Sequence, residues 1–210
     1  MSWTLPIHNT LDEALRQASE SVQQLRTQDE RFWTALALAT VAEMEADTDH
    51  LTAGETHLRE AHDLADQVDN KWLAGWSRAL LSALAIRRGQ IDEARSYADE
   101  SLVLSLASHS TSSITLSIVA VARLALATGD PQRSAMLLGA ADGLRGRVGL
   151  RAWPMLRPGE AALNADVRAA LGTELYDARY ADGARLNRRD AVAVARGRQV
   201  AALSPRGGSG

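Results

Sequence analysis

The chain has 210 residues, 46% of them apolar and only 4% aromatic, with Ala and Leu dominant. That mixture suits closely packed helices and argues against sandwiches and barrels, which draw on β-branched and aromatic strands. A net charge of −3 supplies no overall basic field for nucleic acid or membrane surfaces, although the C-terminal third is locally rich in Arg. The absence of Cys removes disulfides, thiolate metal sites and Cys nucleophiles, and fits a reducing compartment, so the expected location is the cytoplasm.

The first six residues, Met1-Ser-Trp-Thr-Leu-Pro6, do not form a basic region followed by an apolar one, so no secretory signal is read there. From Asn9 onward the sequence repeats itself every forty residues. Asn9, Asp49, Gly89 and Gly129 are turn-formers, whereas Ala14, Gly54, Ala94, Ser134 and Ser21, Ala61, Ser101, Ala141 are two columns of small residues. Gln24, Leu64, Leu104 and Leu144 form a fourth column that is mostly Leu. Turn signals split each unit into an A and a B helix of about five turns.

B helices are predicted to start near Thr10, Leu51, Ile91 and Pro131, and A helices to run over about Glu30–Thr48, Lys71–Arg88 and Thr111–Thr128. Thr10 with Glu13 and Thr52 with Glu55 have capping-box spacing, and Asp130 before Pro131 reads as an N-cap followed by Pro at the first helical position. Gly89 and Gly129 sit where a left-handed residue would end an A helix. Ala42, Ser82 and Ala122 should meet Gly54, Ala94 and Ser134 where A crosses B, with Val41, Leu81 and Val121 in the core beside them. The first repeat lacks its A helix, so the helix from Thr10 to Leu25 is expected to show an unpaired apolar face open to self-association.

The longest apolar stretch, Ile114 to Leu126, is interrupted by Ser117 and Arg123 and is too short to span a bilayer. From Arg145 on the period is lost. Gly143 to Gly149 and the Trp153-Pro154 and Arg157-Pro158 pairs read as a loop, and helices are predicted over Pro158–Leu171, Glu174–Asp182 and Asn187–Arg196, the last capped by Asn187 and Asp190. The chain therefore divides into repeats over 1–148, a helical cap over 149–203 and a flexible tail over 204–210.

The small residues at Ala42, Ser82 and Ala122, the turn glycines Gly89 and Gly129, and the small residues at Ala94, Ser134, Ser101 and Ala141 resemble the tetratricopeptide repeat. The forty-residue period is longer than the usual length of about thirty-four. Leu38, Arg78 and Ile118 stand where an aromatic is usual, and no Pro closes the B helices. The resemblance implies an all-α, right-handed solenoid of helix pairs ending in a small helical cap.

Leu138-Gly-Ala-Ala-Asp-Gly-Leu144, Ala169-Ala-Leu-Gly172, Tyr180-Ala-Asp-Gly-Ala-Arg-Leu186 and Asp190-Ala-Val-Ala-Val194 occur in that order around a Pro-containing loop. They resemble the C-terminal end of the repeat region in actinobacterial LuxR/MalT-like, AfsR/SARP-like and cyclase-linked regulators, which join an ATPase to such repeats. This sequence contains no Gly-x-x-x-x-Gly-Lys-Ser/Thr loop and no helix-turn-helix. The resemblance implies a protein-interaction or ligand-sensing module of a multidomain transcriptional regulator.

No catalytic constellation emerges, and neither a cofactor nor a metal is expected. His57 and His62 are five residues apart, about 140° around a helix, too far round to chelate one ion, and all five histidines are expected at the surface. The glycines at 143, 146 and 149 with Arg145 and Arg147 follow a helix rather than a strand, so they read as a linker and not as a phosphate cradle. Arg185, Arg188, Arg189, Arg196, Arg198 and Arg206 interleave with Asp182 and Asp190 and read as a solvated face without direct nucleic-acid binding.

In the repeat register the A helices line a groove of Leu36, Trp76 and Leu116, then Glu43, Ala83 and Arg123, with Arg87 at one rim. It suits a protein, a peptide or a small-molecule inducer, with Trp76 either its anchor or a seal between repeats. A free-standing peptide-binding adaptor is the alternative, and an enzyme with a pocket under the 149–158 loop, near Trp153 and Arg157, a remote one.

Overall fold

The computed structural model describes residues 7–47, 50–154 and 156–198. The protein is all-α, a run of ten helices in the described residues: α1 Ile7–Thr27, α2 Arg31–Asp47, α3 Leu51–Gln67, α4 Lys71–Arg87, α5 Ile91–Ala107, α6 Thr111–Ala127, α7 Pro131–Arg147, α8 Arg157–Leu171, α9 Thr173–Arg185 and α10 Arg188–Ala195. It is a helical-repeat protein, as the forty-residue period predicts. The tail at 204–210 lies outside the described residues.

The local unit is half the sequence period. From α2 to α7 every helix has 17 residues, and successive starts fall at 31, 51, 71, 91, 111 and 131. Five of the three-residue connections are turned by one left-handed residue, Asp29, Asp69 and His109 at φ of 53°, 52° and 54° and Gly89 and Gly129 at 73° and 81°, and Gly149 at 71° does the same at the start of the longer connection after α7. The sequence signalled only the glycines, because Asp and His reach this conformation against a Cβ penalty that Gly escapes. Asn9 lies inside α1 and is not a turn residue, and Asp49 falls outside the described residues.

The caps are partly as expected. Asp130 accepts from Arg133 N at 3.0 Å with Pro131 behind it, and Asn187 accepts from Asp190 N at 3.0 Å while donating to the Asp190 carboxylate at 2.8 Å. Thr10 is interior to α1, which starts three residues earlier, so it is no cap. Thr52 is also interior: α3 is preceded by His50, whose side chain makes no capping bond, and Thr52 instead accepts from Arg88 Nη2 at 3.0 Å.

The chain forms two compact units, Met1–Ser113 and Ile114–Gly210. In the first, α1 to α5 pack each on the next, and α2 also touches α4. The B helices are joined by long ion pairs, Arg26 with Glu60 at 2.6 Å between α1 and α3, and Arg59 with Glu93 at 3.5 Å between α3 and α5. Direct helix contact on one side and arm's-length contact on the other make the A side the tighter one in this unit.

The crossings use small residues where predicted. A Cβ on Gly54 would lie 3.1 Å from the Ala42 carbonyl, and the Ser82 hydroxyl donates to the Ala94 carbonyl at 2.9 Å. Gly75 permits a second close approach, on α5, where Ser101 donates to the Gly75 carbonyl at 2.7 Å. Arg78, replacing the usual aromatic, pairs with Glu100 at 3.0 Å and lies over the Tyr97 ring at 5.3 Å.

In the second unit Ala122 and Ser134 are buried, as the crossing requires, and the cap helices α8, α9 and α10 all pack on α7. Gly143 and Gly146 belong to α7 and not to a linker. A Cβ on Gly139 would fall 2.0 Å from the Tyr180 carbonyl, one on Gly143 2.2 Å from that of Ala184, and one on Gly183 1.9 Å from that of Met136. Backbones touch here, so these glycines serve close packing and not chain reversal.

Candidate functional site

The predicted groove residues divide between the two units. In the first, Leu36 and Glu43 on α2 and Ala83 on α4 are half-buried, and Arg87 at the end of α4 is exposed. Arg87 Nη1 donates to the Ala46 carbonyl, tying the last turn of α4 to the last turn of α2. The guanidinium thereby meets carbonyls left without intrahelical donors at a helix end, where the helix dipole favours a cation. Of the predicted strip, this unit thus holds two apolar side chains, one carboxylate and one arginine, on the two A helices that touch directly.

Trp76 does not belong to that strip. It is 1% exposed, the largest fully buried side chain in the protein's described residues, with the Trp72 ring 5.9 Å away at 35°. Of the two readings, groove anchor or packing seal, burial fits the second: the neighbouring small positions let helices close over the indole.

In the second unit Leu116 is buried and Arg123 half-buried, with the Arg123 guanidinium 3.7 Å from where a Gly159 Cβ would stand in the first turn of α8. Arg123 thus stands beside the first turn of α8. Below it Arg145, 4% exposed, is clamped by Glu160 through two bonds of 2.7 and 2.8 Å and by Thr115 at 3.1 Å. Sequence reasoning placed Arg145 in a loop; the structure makes it the internal brace between α7 and α8. That ion pair also occupies the acidic group nearest the 149–158 loop, where Arg157 Nε donates to the Ala152 carbonyl at 2.9 Å.

His50 and His109 are exposed as expected, whereas His62 is not and His57 is only half-exposed. His62 is buried, 3.4 Å from the Ala74 carbonyl and 3.4 Å from Asp66, and His57 Nδ1 lies 2.7 Å from the buried Glu45 carboxylate. His62 joins α3 to α4, and His57, still partly in solvent, joins α3 to α2. Among the described residues no group of three His, Asp or Glu side chains is arranged to hold a metal ion. Two tyrosines stack on the cap at 5.6 Å, Tyr176 under the Arg168 guanidinium and Tyr180 bonded to the Asp142 carboxylate. Burial, and then that carboxylate, hold the Tyr180 phenol well above its ordinary value. A phenol held neutral in this way is a hydrogen-bond donor and not a base.

The described residues define a helical-repeat protein in which buried Ser82, Ser101 and Arg145 bond from one helix to another. No helix of the described residues is long and apolar enough to cross a membrane. No protein-family model matches the sequence, no curated protein matches it, and no solved structure matches its fold.

Proposed function

We propose that this chain is a non-enzymatic interaction or ligand-sensing module, the repeat region of a cytoplasmic multidomain transcriptional regulator. The observation that supports it is the half-open strip of Leu36, Glu43 and Ala83 ending at the exposed Arg87. An apolar floor with one cation at its end suits a peptide or small-molecule inducer that carries a carboxylate or a helix C-terminus. The order of glycine-bearing motifs from Leu138 to Val194 is the reason for favouring a regulator.

Binding would act by selection. A ligand shifts the regulator between states only as far as its affinity for the two states differs, so the strip must be more complete in one of them. The full regulator carrying Ala83→Trp, which fills the strip, is expected to lose inducer-dependent transcription with an unchanged melting temperature, and Arg87→Glu to lose it with a lowered one, because the bond from Arg87 to the Ala46 carbonyl goes too. Wild-type induction in both variants overturns the reading.

A further inference from the structure

Arg145 is a charged side chain that the second unit encloses. Its two terminal nitrogens meet the two Glu160 oxygens of α8 at 2.7 and 2.8 Å, and its Nε donates to the Thr115 hydroxyl on α6 at 3.1 Å. Paired bonds of this kind are the geometry in which a guanidinium takes a free carboxylate. Asp142 lies farther off, 3.5 Å from Nη1, and its carboxylate accepts from the Tyr180 hydroxyl. The fork of Arg145 therefore serves Glu160 first. A buried ion pair holds two helices together no better than an apolar contact of the same volume, and its clearest use is to set register or to switch.

The helix that brings this carboxylate is thinly held. Of the 15 residues of α8 only Leu163 and Val167 are buried, with Leu156 just before it, and its outer face is exposed alanine at 161, 162, 165, 169 and 170. By contrast α7 and α9 touch backbone to backbone, so α8 can leave without parting them. Gly172, the one residue between α8 and α9, has φ 77° and ψ 157°, a region open essentially to Gly alone, with empty space around it, and so serves as a hinge. The ion pair of α8 with α9, Arg168 to Asp177 at 2.8 Å, lies one turn from that hinge. Glu160 stands at the opposite end, about 17 Å along the helix, so a swing of about 15° carries its carboxylate about 4 Å and breaks both bonds to Arg145. The Tyr176 bond to Asn164, midway along α8, is the further polar tie that the swing loosens.

We propose that Arg145 is a binding site for a small carboxylate, held closed by Glu160 as an internal stand-in, and that α8 is its lid. When α8 swings out on Gly172, the ligand's carboxylate takes the two bonds that Glu160 gives up. The ligand binds only the open state and so shifts the equilibrium toward it. The inference is independent of what the residues on α2 and α4 bind.

Hydrogen exchange and thermal melting of the full chain, with sodium acetate as the probe, test it. In the wild type the amides of α8 should exchange about 100-fold faster than those of α7 and α9, through local opening, and equal exchange in the three helices overturns the lid. Glu160→Gln removes the charge at nearly constant size, and should raise α8 exchange by about tenfold or more while α7 and α9 stay as they were. Acetate should raise it further in this variant, and sodium chloride at equal concentration should not. Glu160→Ala leaves Arg145 without its carboxylate and should melt below wild type. Acetate should then lift its midpoint with a saturating dependence, but not that of Glu160→Ala/Arg145→Met. An acetate effect no larger than that of chloride, or equal in the double variant, makes the pair a brace only and overturns the proposal. Should Glu160→Ala fail to fold, the acetate response of Glu160→Gln decides the matter.

Discussion

His109 ends α5 at a φ of 54°, a conformation that costs a side-chain-bearing residue about 1–2 kcal/mol, and its position is held by Gly at 89, 129 and 149. Glycine relieves that strain but adds freedom to the unfolded chain, so the net gain is smaller. His109→Gly is expected to stabilise by about 0.5–1 kcal/mol, read as a raised urea midpoint at constant slope. The converse, Gly129→Ala, should destabilise by a similar amount although no atom within 4 Å would meet the new Cβ. Trp76 tests a different physics. Because its indole is enclosed, Trp76→Ala should leave a cavity and cost about 3–5 kcal/mol. A variant of unchanged thermal midpoint would put the ring back on the surface.

Among the elements, the α7–α9 pair has the least slack. Gly139, Gly143 and Gly183 bring two helix backbones into contact, and a single methyl at Gly183 would lie 1.9 Å from a carbonyl oxygen. No rotamer change can relieve a clash between a Cβ and a main-chain atom, so the helices must part. Gly183→Ala is therefore expected to destabilise by more than about 3 kcal/mol, and a Gly146→Ala control, with open space around its Cβ, to behave as wild type in the same denaturant titration. The brace of Arg145 and Glu160 belongs to this scale also. It joins α7 to α8 only while both charges are present, because removing one leaves the other buried without compensation.

Across the whole molecule, burial is uneven in a way that sets local stability. Of the α1 side chains described, Val22 alone is buried, whereas from Ser113 to Ala122 on α6 every residue is buried. Amides of α1 should exchange with solvent far faster than those of α6, in proportion to the apolar surface each releases on opening. Hydrogen exchange read by mass spectrometry checks this, and equal protection in the two helices would contradict it. Most helices pack on their chain neighbours, so contacts are local and repeats can be perturbed one at a time. The first unit is acidic and the second basic, a charge asymmetry that a single net value of −3 conceals.

Much of this was legible in the chain itself. Helical apolar spacing, small residues at Ala42, Gly54, Ser82 and Ala94, and Gly89, Gly129 and Asp130 at the turns specify helix positions and crossings locally, through propensity, sterics and capping. What the register could not supply was burial. Whether Gly143 ends the helix or admits another one, and whether Arg145 hangs in a loop or clamps Glu160, depend on partners fifteen or more residues away in sequence, and Trp76 is enclosed although its register points it outward. Periodicity fixes an angle around a helix axis, but only the packing of the other helices decides what covers that angle.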